Sequence, residues 1–250
     1  MNDWRFFLLA ALAGLCAGSF LNVVIVRLPQ MILHPQPNFT LWLPHSHCPH
    51  CRQQLRWRDN IPLLSWLMLR GRCRGCQHAI SHRYPLVECA AMLLVLLMTT
   101  FTTLPFTLLA LCFFSLSLLA LSLIDAEHQL LPDALTQPLL WTGLLFSLHS
   151  EALLNAQQAL SGAICGFSVM ATLRAVFSWL RREEALGYGD VKLTAALGAW
   201  LGWVALPHLL LIAAAGALLY SLLSGRDCQQ TLAFGPFLAA AGGILMLLTQ

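Results

Sequence analysis

The chain has 250 residues, of which 58% are hydrophobic and only 10% are charged, and its mean hydropathy is +0.70. Soluble domains carry about 25% charged residues, so the composition excludes an ordinary soluble protein and predicts a membrane protein. The net charge of +3 does not indicate nucleic-acid binding, because no basic face is interleaved with stacking aromatic residues.

The first predicted membrane span covers residues 6–26. This apolar run is too long for the hydrophobic core of a signal peptide and leads directly into basic residues, so we predict a retained span. A polar insert follows at residues 27–86, and it contains eight of the fourteen Lys and Arg residues. Basic loops of membrane proteins face the cytoplasm, so we predict that this insert is cytoplasmic.

Seven further apolar segments predict seven more spans. With the first span they make an all-α, polytopic helical bundle of about eight spans, in which residues 87–250 form one membrane-embedded domain. Eight spans and a cytoplasmic insert place both termini on the far side, where only Arg5 of the fourteen basic residues would then lie. The segments are residues 87–104, 106–124, 134–150, 157–180, 191–205, 207–223 and 232–248.

The insert contains two CxxC pairs, Cys48 with Cys51 and Cys73 with Cys76. Four thiolates at this doubled spacing predict a tetrahedral zinc site, and a closed four-thiolate site is structural rather than catalytic. In a cytoplasmic loop zinc is favoured over disulfides. The alternative is a flexible loop with reduced thiols.

Three aspartates stand at the ends of predicted spans. Two spans separate Asp125 from Asp190, so both carboxylates emerge on the same side of the membrane, which is also the side of the insert. Two carboxylates at equal depth can share one proton and act as base and acid, as aspartic proteases require. Asp133 follows Pro132 at the start of a span and is predicted to be a first-turn or capping residue.

The Gly187-Tyr188-Gly189-Asp190 string allows the backbone to pass close to a substrate or to the partner aspartate, because glycine has no Cβ. On its own the string is weak evidence, because a flexible loop that ends in a helix cap explains it as well or better. Glu88 lies just inside the second span and is not explained as a surface residue.

Several strings are similar to those of one family along most of the chain. They are GSFLNVV at 18–24, DNIPLLSW at 59–66 beside the CxxC pairs, RYPLVE at 83–88, Asp125 followed by LPD at 131–133, GYGDVK at 187–192 and FGPF at 234–237. Together they resemble the bacterial type IV prepilin peptidases, including those that serve type II secretion.

The resemblance implies a bifunctional aspartyl endopeptidase of the bacterial inner membrane with its active site at the cytoplasmic face. Asp125 and Asp190 would be the catalytic pair, and S-adenosylmethionine would donate a methyl group to the new N-terminus. The implied substrates are prepilins or pseudopilins with a short basic leader, a glycine at the cut and an apolar helix embedded in lipid. No Gly-rich nucleotide motif indicates which residues bind the methyl donor.

Two alternatives remain. One is a prepilin-type peptidase without methyltransferase activity. The other is a zinc-stabilised membrane transporter, which would use intramembrane carboxylates for protons or ions but would more often place them in the middle of a span.

Overall fold

The computed structural model describes residues 4–36, 38–48, 50–55, 57–181, 187–224 and 232–248. As predicted, the fold is all-α: these ranges contain nine α-helices, and the only β structure in them is two isolated bridges in the insert. The helices are α1 (Trp4–Leu33), α2 (Leu64–Met68), α3 (Arg83–Phe101), α4 (Pro105–His128), α5 (Asp133–Phe146), α6 (Ala156–Arg181), α7 (Tyr188–Leu201), α8 (Leu206–Ser224) and α9 (Gly235–Leu248).

The chain divides into two compact units. Unit 1 is Met1–Cys112 and contains α1, the insert and α3, whereas unit 2 is Phe113–Gln250 and contains most of α4 and all of α5 to α9. Each unit has its own close helix packing.

In unit 1, α1 packs against α3 through two glycines one helical turn apart. A Cβ at Gly14 would lie 2.7 Å from the Cα of Met92, and a Cβ at Gly18 would lie 2.7 Å from the Cα of Glu88. Small residues at four-residue spacing allow two helix backbones to approach closely, which is how apolar helices associate in lipid. The Asn22 side chain adds a hydrogen bond of 3.1 Å to the carbonyl of Tyr84.

Helix α1 continues to Leu33, past the predicted end of the span at residue 26. Arg27, predicted to begin a polar loop, is instead buried within the helix and hydrogen-bonded. Its guanidinium donates to the carbonyls of Thr40, Leu41 and Pro44 at 3.1, 3.2 and 2.6 Å. A buried charge is tolerated when hydrogen bonds replace its water, so the helix continues and the insert folds back onto it.

Helix α7 is the central element of unit 2, because every residue from Asp190 to Leu201 except Lys192 is buried. Helix α7 meets α6 at Gly198 and Gly162. A Cβ on either glycine would overlap the carbonyl oxygen of the other. The two backbones therefore touch with no side chain between them.

On another side of α7, the Trp200 indole fills the space that Gly143 of α5 leaves open. Its Nε1–H donates to the carbonyl of Leu139 at 2.8 Å, so the buried indole nitrogen is satisfied. The rings of Phe114 and Phe146 lie 4.9 and 5.7 Å from the indole. This aromatic cluster fixes α7 against α4 and α5.

Five of the described helical segments are long and apolar enough to cross a membrane, which fits a multi-pass membrane protein. They are Trp4–Leu33, Arg83–Phe101, Pro105–His128, Ala156–Leu180 and Trp203–Ser224. The other three predicted spans correspond to α5, α7 and α9, which have 14 residues each. At 1.5 Å per residue such a helix is about 21 Å long, shorter than the roughly 30 Å hydrocarbon core, so these three do not establish a count of eight.

We predict opposite effects for the same substitution at two glycines of unit 2. Gly198→Ala places a methyl group against the backbone of Gly162 and should destabilise the protein by about 1–3 kcal/mol. Gly243→Ala is the control: its Cβ meets nothing within 4 Å, and alanine favours a helix interior by roughly 0.5–1 kcal/mol. Thermal unfolding in detergent should show a lower Tm only for Gly198→Ala. Equal Tm values would contradict the close α6–α7 contact.

Candidate active site and metal site

Asp125 lies one turn from the C-terminal end of α4 and is only 5% exposed. Its Oδ2 accepts a hydrogen bond of 2.9 Å from the backbone N–H of Gly235, the first residue of α9. The first N–H groups of a helix have no partner within the helix. The start of α9 therefore supplies a donor to a buried carboxylate that the sequence places 110 residues away.

Only glycine fits at position 235. A Cβ there would lie 2.6 Å from Oδ2 and 3.0 Å from the carboxyl carbon of Asp125. Sequence reasoning noted residues 234–237 as a family string and assigned no role to Gly235. The available signal was Gly235-Pro236 at the start of an apolar run, since proline in the first turn marks a helix N-terminus.

Asp190 lies in the first turn of α7 and is 8% exposed. Gly187 is the N-cap residue of this helix, and its carbonyl accepts a hydrogen bond of 3.3 Å from the Asp190 N–H. The Asp190 carboxylate is close enough to Asp125 for the two negative charges to repel each other. The structure thus brings the two predicted aspartates together in unit 2.

The 187–192 and 131–133 strings also meet in unit 2. A Cβ on Gly189 would lie 2.8 Å from the Cβ of Leu131, so this glycine permits a close contact between the segments. Asp133 is the first residue of α5, as predicted, but its carboxylate pairs with the Lys192 ammonium. This ion pair, which sequence reasoning did not anticipate, joins the N-terminal ends of α5 and α7.

Two adjacent buried carboxylates can do acid and base chemistry on one water molecule. When two such groups lie close together both cannot be ionised at once, so they share a proton. One group can then accept a proton while the other donates one. Asp125 and Asp190 are both buried in unit 2 and close enough for their charges to interact, whereas Asp133 pairs with Lys192.

The four predicted cysteine ligands form one cluster in the insert. Their sulfur atoms all lie within 4.8 Å of one another, with Cys48 to Cys76 at 3.8 Å and Cys51 to Cys73 at 4.0 Å. Tetrahedral zinc with Zn–S bonds of about 2.3 Å requires sulfur atoms about 3.8 Å apart. Two of the sulfur pairs match this spacing and the others lie within 4.8 Å, so the four cysteines are placed to bind one zinc ion.

The two CxxC turns have the same backbone geometry. The N–H of Arg52 donates to the carbonyl of Cys48 at 2.9 Å, and the N–H of Gln77 donates to the carbonyl of Cys73 at 3.0 Å. Arg52 and Gln77 both have φ of 58°.

Backbone N–H groups of Cys76 and Gly75 directed at the Cys73 sulfur lower the pKa of this thiol to about 7. The backbone N–H of His78 lowers the pKa of Cys76, but burial and the neighbouring cysteine sulfurs outweigh it and raise this pKa to about 11. The clustered thiols therefore do not all ionise equally readily, and a bound cation favours the thiolate form of all four.

Glu88, which the sequence left unexplained, connects α3 to the insert. Its Oε2 accepts a hydrogen bond of 2.8 Å from the N–H of Leu63, the N-cap residue of α2. Leu63 has a φ of 60°, which is unusual for a residue with a branched side chain. Glu88 therefore stabilises the fold of the insert in unit 1.

Two family models match the chain. The bacterial peptidase A24 N-terminal domain matches residues 12–102, and the type IV leader peptidase family matches residues 112–222. Between them the matches include the four cysteines, Asp125 and Asp190.

Several relatives align over most of the chain. A type 4 prepilin-like proteins leader peptide-processing enzyme of Escherichia coli O78:H11 (strain H10407 / ETEC) is 46% identical, over 97% of this chain and 93% of the relative. Two proteins named prepilin leader peptidase/N-methyltransferase, from Dickeya chrysanthemi and Klebsiella pneumoniae, are 47% and 49% identical. These alignments cover 98% and 86% of this chain, and 93% and 92% of the relatives. No solved structure shows significant similarity to the chain.

We predict that purified protein contains about one equivalent of zinc, because four converging thiolates make one closed tetrahedral site. The Cys73→Ser/Cys76→Ser variant should lose the metal, since two ligands cannot hold a structural zinc ion. Cys16→Ser/Cys165→Ser is the matched control, because it removes two cysteines outside the cluster. Metal analysis by mass spectrometry checks both. Zinc-free protein, or full zinc retention in the first variant, would contradict the site.

Proposed function

The chain belongs to the type IV leader peptidase family, and from this premise we propose that it is a bifunctional membrane enzyme. It cleaves the leader from type IV prepilins or type II secretion pseudopilins, and it methylates the N-terminal residue that cleavage exposes. The observation that supports the peptidase most directly is the pair of buried, mutually repelling carboxylates of Asp125 and Asp190 in unit 2.

In the proposed hydrolysis, Asp125 and Asp190 share one proton. The ionised carboxylate takes a proton from water as the water oxygen bonds to the scissile carbonyl carbon, and the protonated carboxyl group donates to the carbonyl oxygen. The resulting diol intermediate then collapses: the C–N bond breaks and the leaving nitrogen takes a proton from the carboxyl group that accepted one. As the carbonyl re-forms, a hydroxyl proton of the intermediate returns to the other carboxylate, which restores the shared proton. The Gly235 N–H holds Asp125 in position through both steps.

In the proposed methylation, the new amino group is the nucleophile and must be neutral. S-adenosylmethionine supplies the methyl group: the N–C bond forms as the S–C bond breaks, the sulfonium leaves as a neutral thioether, and the nitrogen loses a proton to solvent. This reaction needs no carbonyl activation. The aspartate pair is therefore not required for it, and a separate donor site is expected.

The insert has a structural part in this proposal. Zinc on Cys48, Cys51, Cys73 and Cys76 joins the two CxxC turns into one rigid piece, and a four-thiolate site leaves no open position for catalysis. The proposed organisation is a first span at residues 1–26, a cytoplasmic zinc-binding insert at 27–86 and the membrane-embedded peptidase domain at 87–250.

We place the enzyme in the bacterial inner membrane as a multi-pass protein with its active site at the cytoplasmic face. The concentration of basic residues between Arg27 and Arg83 supports this orientation through the positive-inside rule. The proposed partners are lipid and prepilins or pseudopilins with a short basic leader, a glycine at the cut and an apolar helix.

We predict that Asp125→Asn and Asp190→Asn each reduce prepilin cleavage by about 100-fold to 10,000-fold, the range for loss of a general acid or base. Asparagine preserves shape, and its amide oxygen can still accept the Gly235 hydrogen bond. Glu127→Gln is the matched control in the same helix as Asp125 and should cleave at close to the parent rate. Asp133→Asn should reduce cleavage far less than either Asp125→Asn or Asp190→Asn. Quantified cleavage of a purified prepilin checks this. Near-parental cleavage by either aspartate variant would exclude the pair.

We predict that proteolysis and methylation separate by mutation. Asp125→Ala should still methylate a pre-cleaved pilin in detergent, because the amine already exists and no carbonyl has to be attacked. Breaking the zinc site should reduce methylation at least as much as cleavage. Transfer of labelled methyl groups to pre-cleaved pilin measures this. Loss of transfer in folded Asp125→Ala would indicate one shared site, and a parent enzyme that cleaves but never methylates would be a peptidase alone.

A further inference from the structure

A cavity of about 580 Å³ lies within unit 1 beside the cysteine cluster. We call it the unit 1 cavity; its walls are α1 near Asn22, the start of α3 near Glu88, and the insert, including Cys48 and Cys73. Pockets of roughly 300–1,000 Å³ are typical of small-molecule sites. The proposed hydrolysis uses residues of unit 2 and leaves this cavity without a role.

Two carboxylates line the unit 1 cavity, and both are almost fully withdrawn from solvent. Glu88 is 8% exposed, and so is the side chain of Asp59. Charged groups in this position require partners. Glu88 accepts the N–H of Leu63, and Asp59 is bonded by Arg74, whose Nη2 and Nε lie 2.7 and 3.0 Å away.

Asp59 has one oxygen available for a ligand. Both Arg74 bonds go to Oδ1, and within the described part of the chain no group donates to Oδ2. An arginine guanidinium often bonds both oxygens of a carboxylate, whereas Arg74 bonds only Oδ1 of Asp59. A sheltered carboxylate oxygen at a cavity wall suits a ligand hydroxyl or a cationic group.

An aromatic ring stands in the same wall. Trp66 is held by an edge-on contact with the ring of His82 at 5.1 Å and by a hydrogen bond of 3.4 Å from its Nε1 to the carbonyl of Ile80. Two other aromatic side chains, Phe39 and Tyr84, also line the cavity, and Phe39 already has the Arg27 guanidinium over its ring. Aromatic faces attract cations and stack with heterocycles, so Trp66 complements Asp59 and Glu88.

We infer that the unit 1 cavity is the binding site for S-adenosylmethionine, with the carboxylates of Asp59 and Glu88 and the ring of Trp66 as its recognition groups. This inference rests on the proposed methyltransferase activity. The ligand has two cationic centres and a ribose diol, which suit carboxylates, and a purine, which suits an aromatic wall. A small molecule of this size also fits the cavity volume.

The position of the cavity connects it to the zinc site. Cys48 and Cys73 belong both to the cysteine cluster and to the lining of the cavity. Zinc therefore fixes part of the wall, and this gives a physical reason for methylation to depend on the metal.

The test measures binding of labelled S-adenosylmethionine to the full-length, zinc-loaded protein in detergent by equilibrium dialysis, a readout independent of turnover. Val23→Phe puts a larger side chain into the α1 wall of the cavity and should weaken binding by at least about tenfold, because overfilling a pocket displaces its ligand. Val169→Phe is the matched control on an exposed, apolar position of α6 and should bind as the parent does.

A second pair of variants tests the carboxylate. Asp59→Asn should raise the Kd by at least about tenfold, since it removes the charge that recognises the ligand. Asp133→Asn is its control, because it makes the same change and also breaks an ion pair, but in unit 2. Zinc content and unfolding temperature of each variant establish that it is folded.

The outcomes separate this inference from the proposed function. Parental affinity in both Val23→Phe and Asp59→Asn, with methyl transfer intact, would overturn the inference and leave the methyltransferase standing. Parent protein that neither binds the donor nor methylates a cleaved pilin would overturn the methyltransferase, and the inference with it. Displacement of the donor by a synthetic leader peptide would assign the cavity to the leader instead.

Discussion

The hydrogen bond between the Gly235 N–H and Asp125 is the contact on which the candidate active site depends. A carboxylate at 5% exposure has given up most of its water, and an unsatisfied charge there would be costly. The first turn of α9 replaces that water with a helix N-terminal donor, where negative charge is favoured. Because a Cβ at position 235 would collide with the carboxylate, the approach is possible only for glycine.

Asp190 reaches its place by a different route, through the packing of α7. This helix is buried on nearly all sides, so its position is set by contacts along its whole length rather than by one bond. The Gly162 and Gly198 backbones touch, and Trp200 fills the gap at Gly143. Rigid packing of this kind gives Asp190 a fixed position, which its proposed role in proton transfer requires.

Local sequence signals explain what could be predicted. Apolar runs located the helices, CxxC spacing identified the cysteine cluster, and counting spans grouped Asp125 with Asp190. Features that depend on distant residues were not accessible. Helix α1 runs past Arg27 because carbonyls of Thr40, Leu41 and Pro44 satisfy its charge, and no local pattern encodes this. Glycines that permit close approach were visible as residues, but their partners were not.

The chemistry of the two proposed reactions explains why one chain would keep them in different units. Hydrolysis needs water and a proton shared between two carboxylates. Methyl transfer needs a neutral amine and a cationic methyl donor, and it does not use water. A donor held beside the ionised aspartate of the proposed catalytic pair would disturb its proton chemistry by contributing positive charge. The unit 1 carboxylates of Glu88 and Asp59 accept hydrogen bonds from Leu63 and Arg74 and take no part in the proposed hydrolysis. A donor bound beside them therefore does not disturb the proton chemistry of the aspartate pair. Division of the sites also matches the order of events, because the amine exists only after the peptide bond is cut.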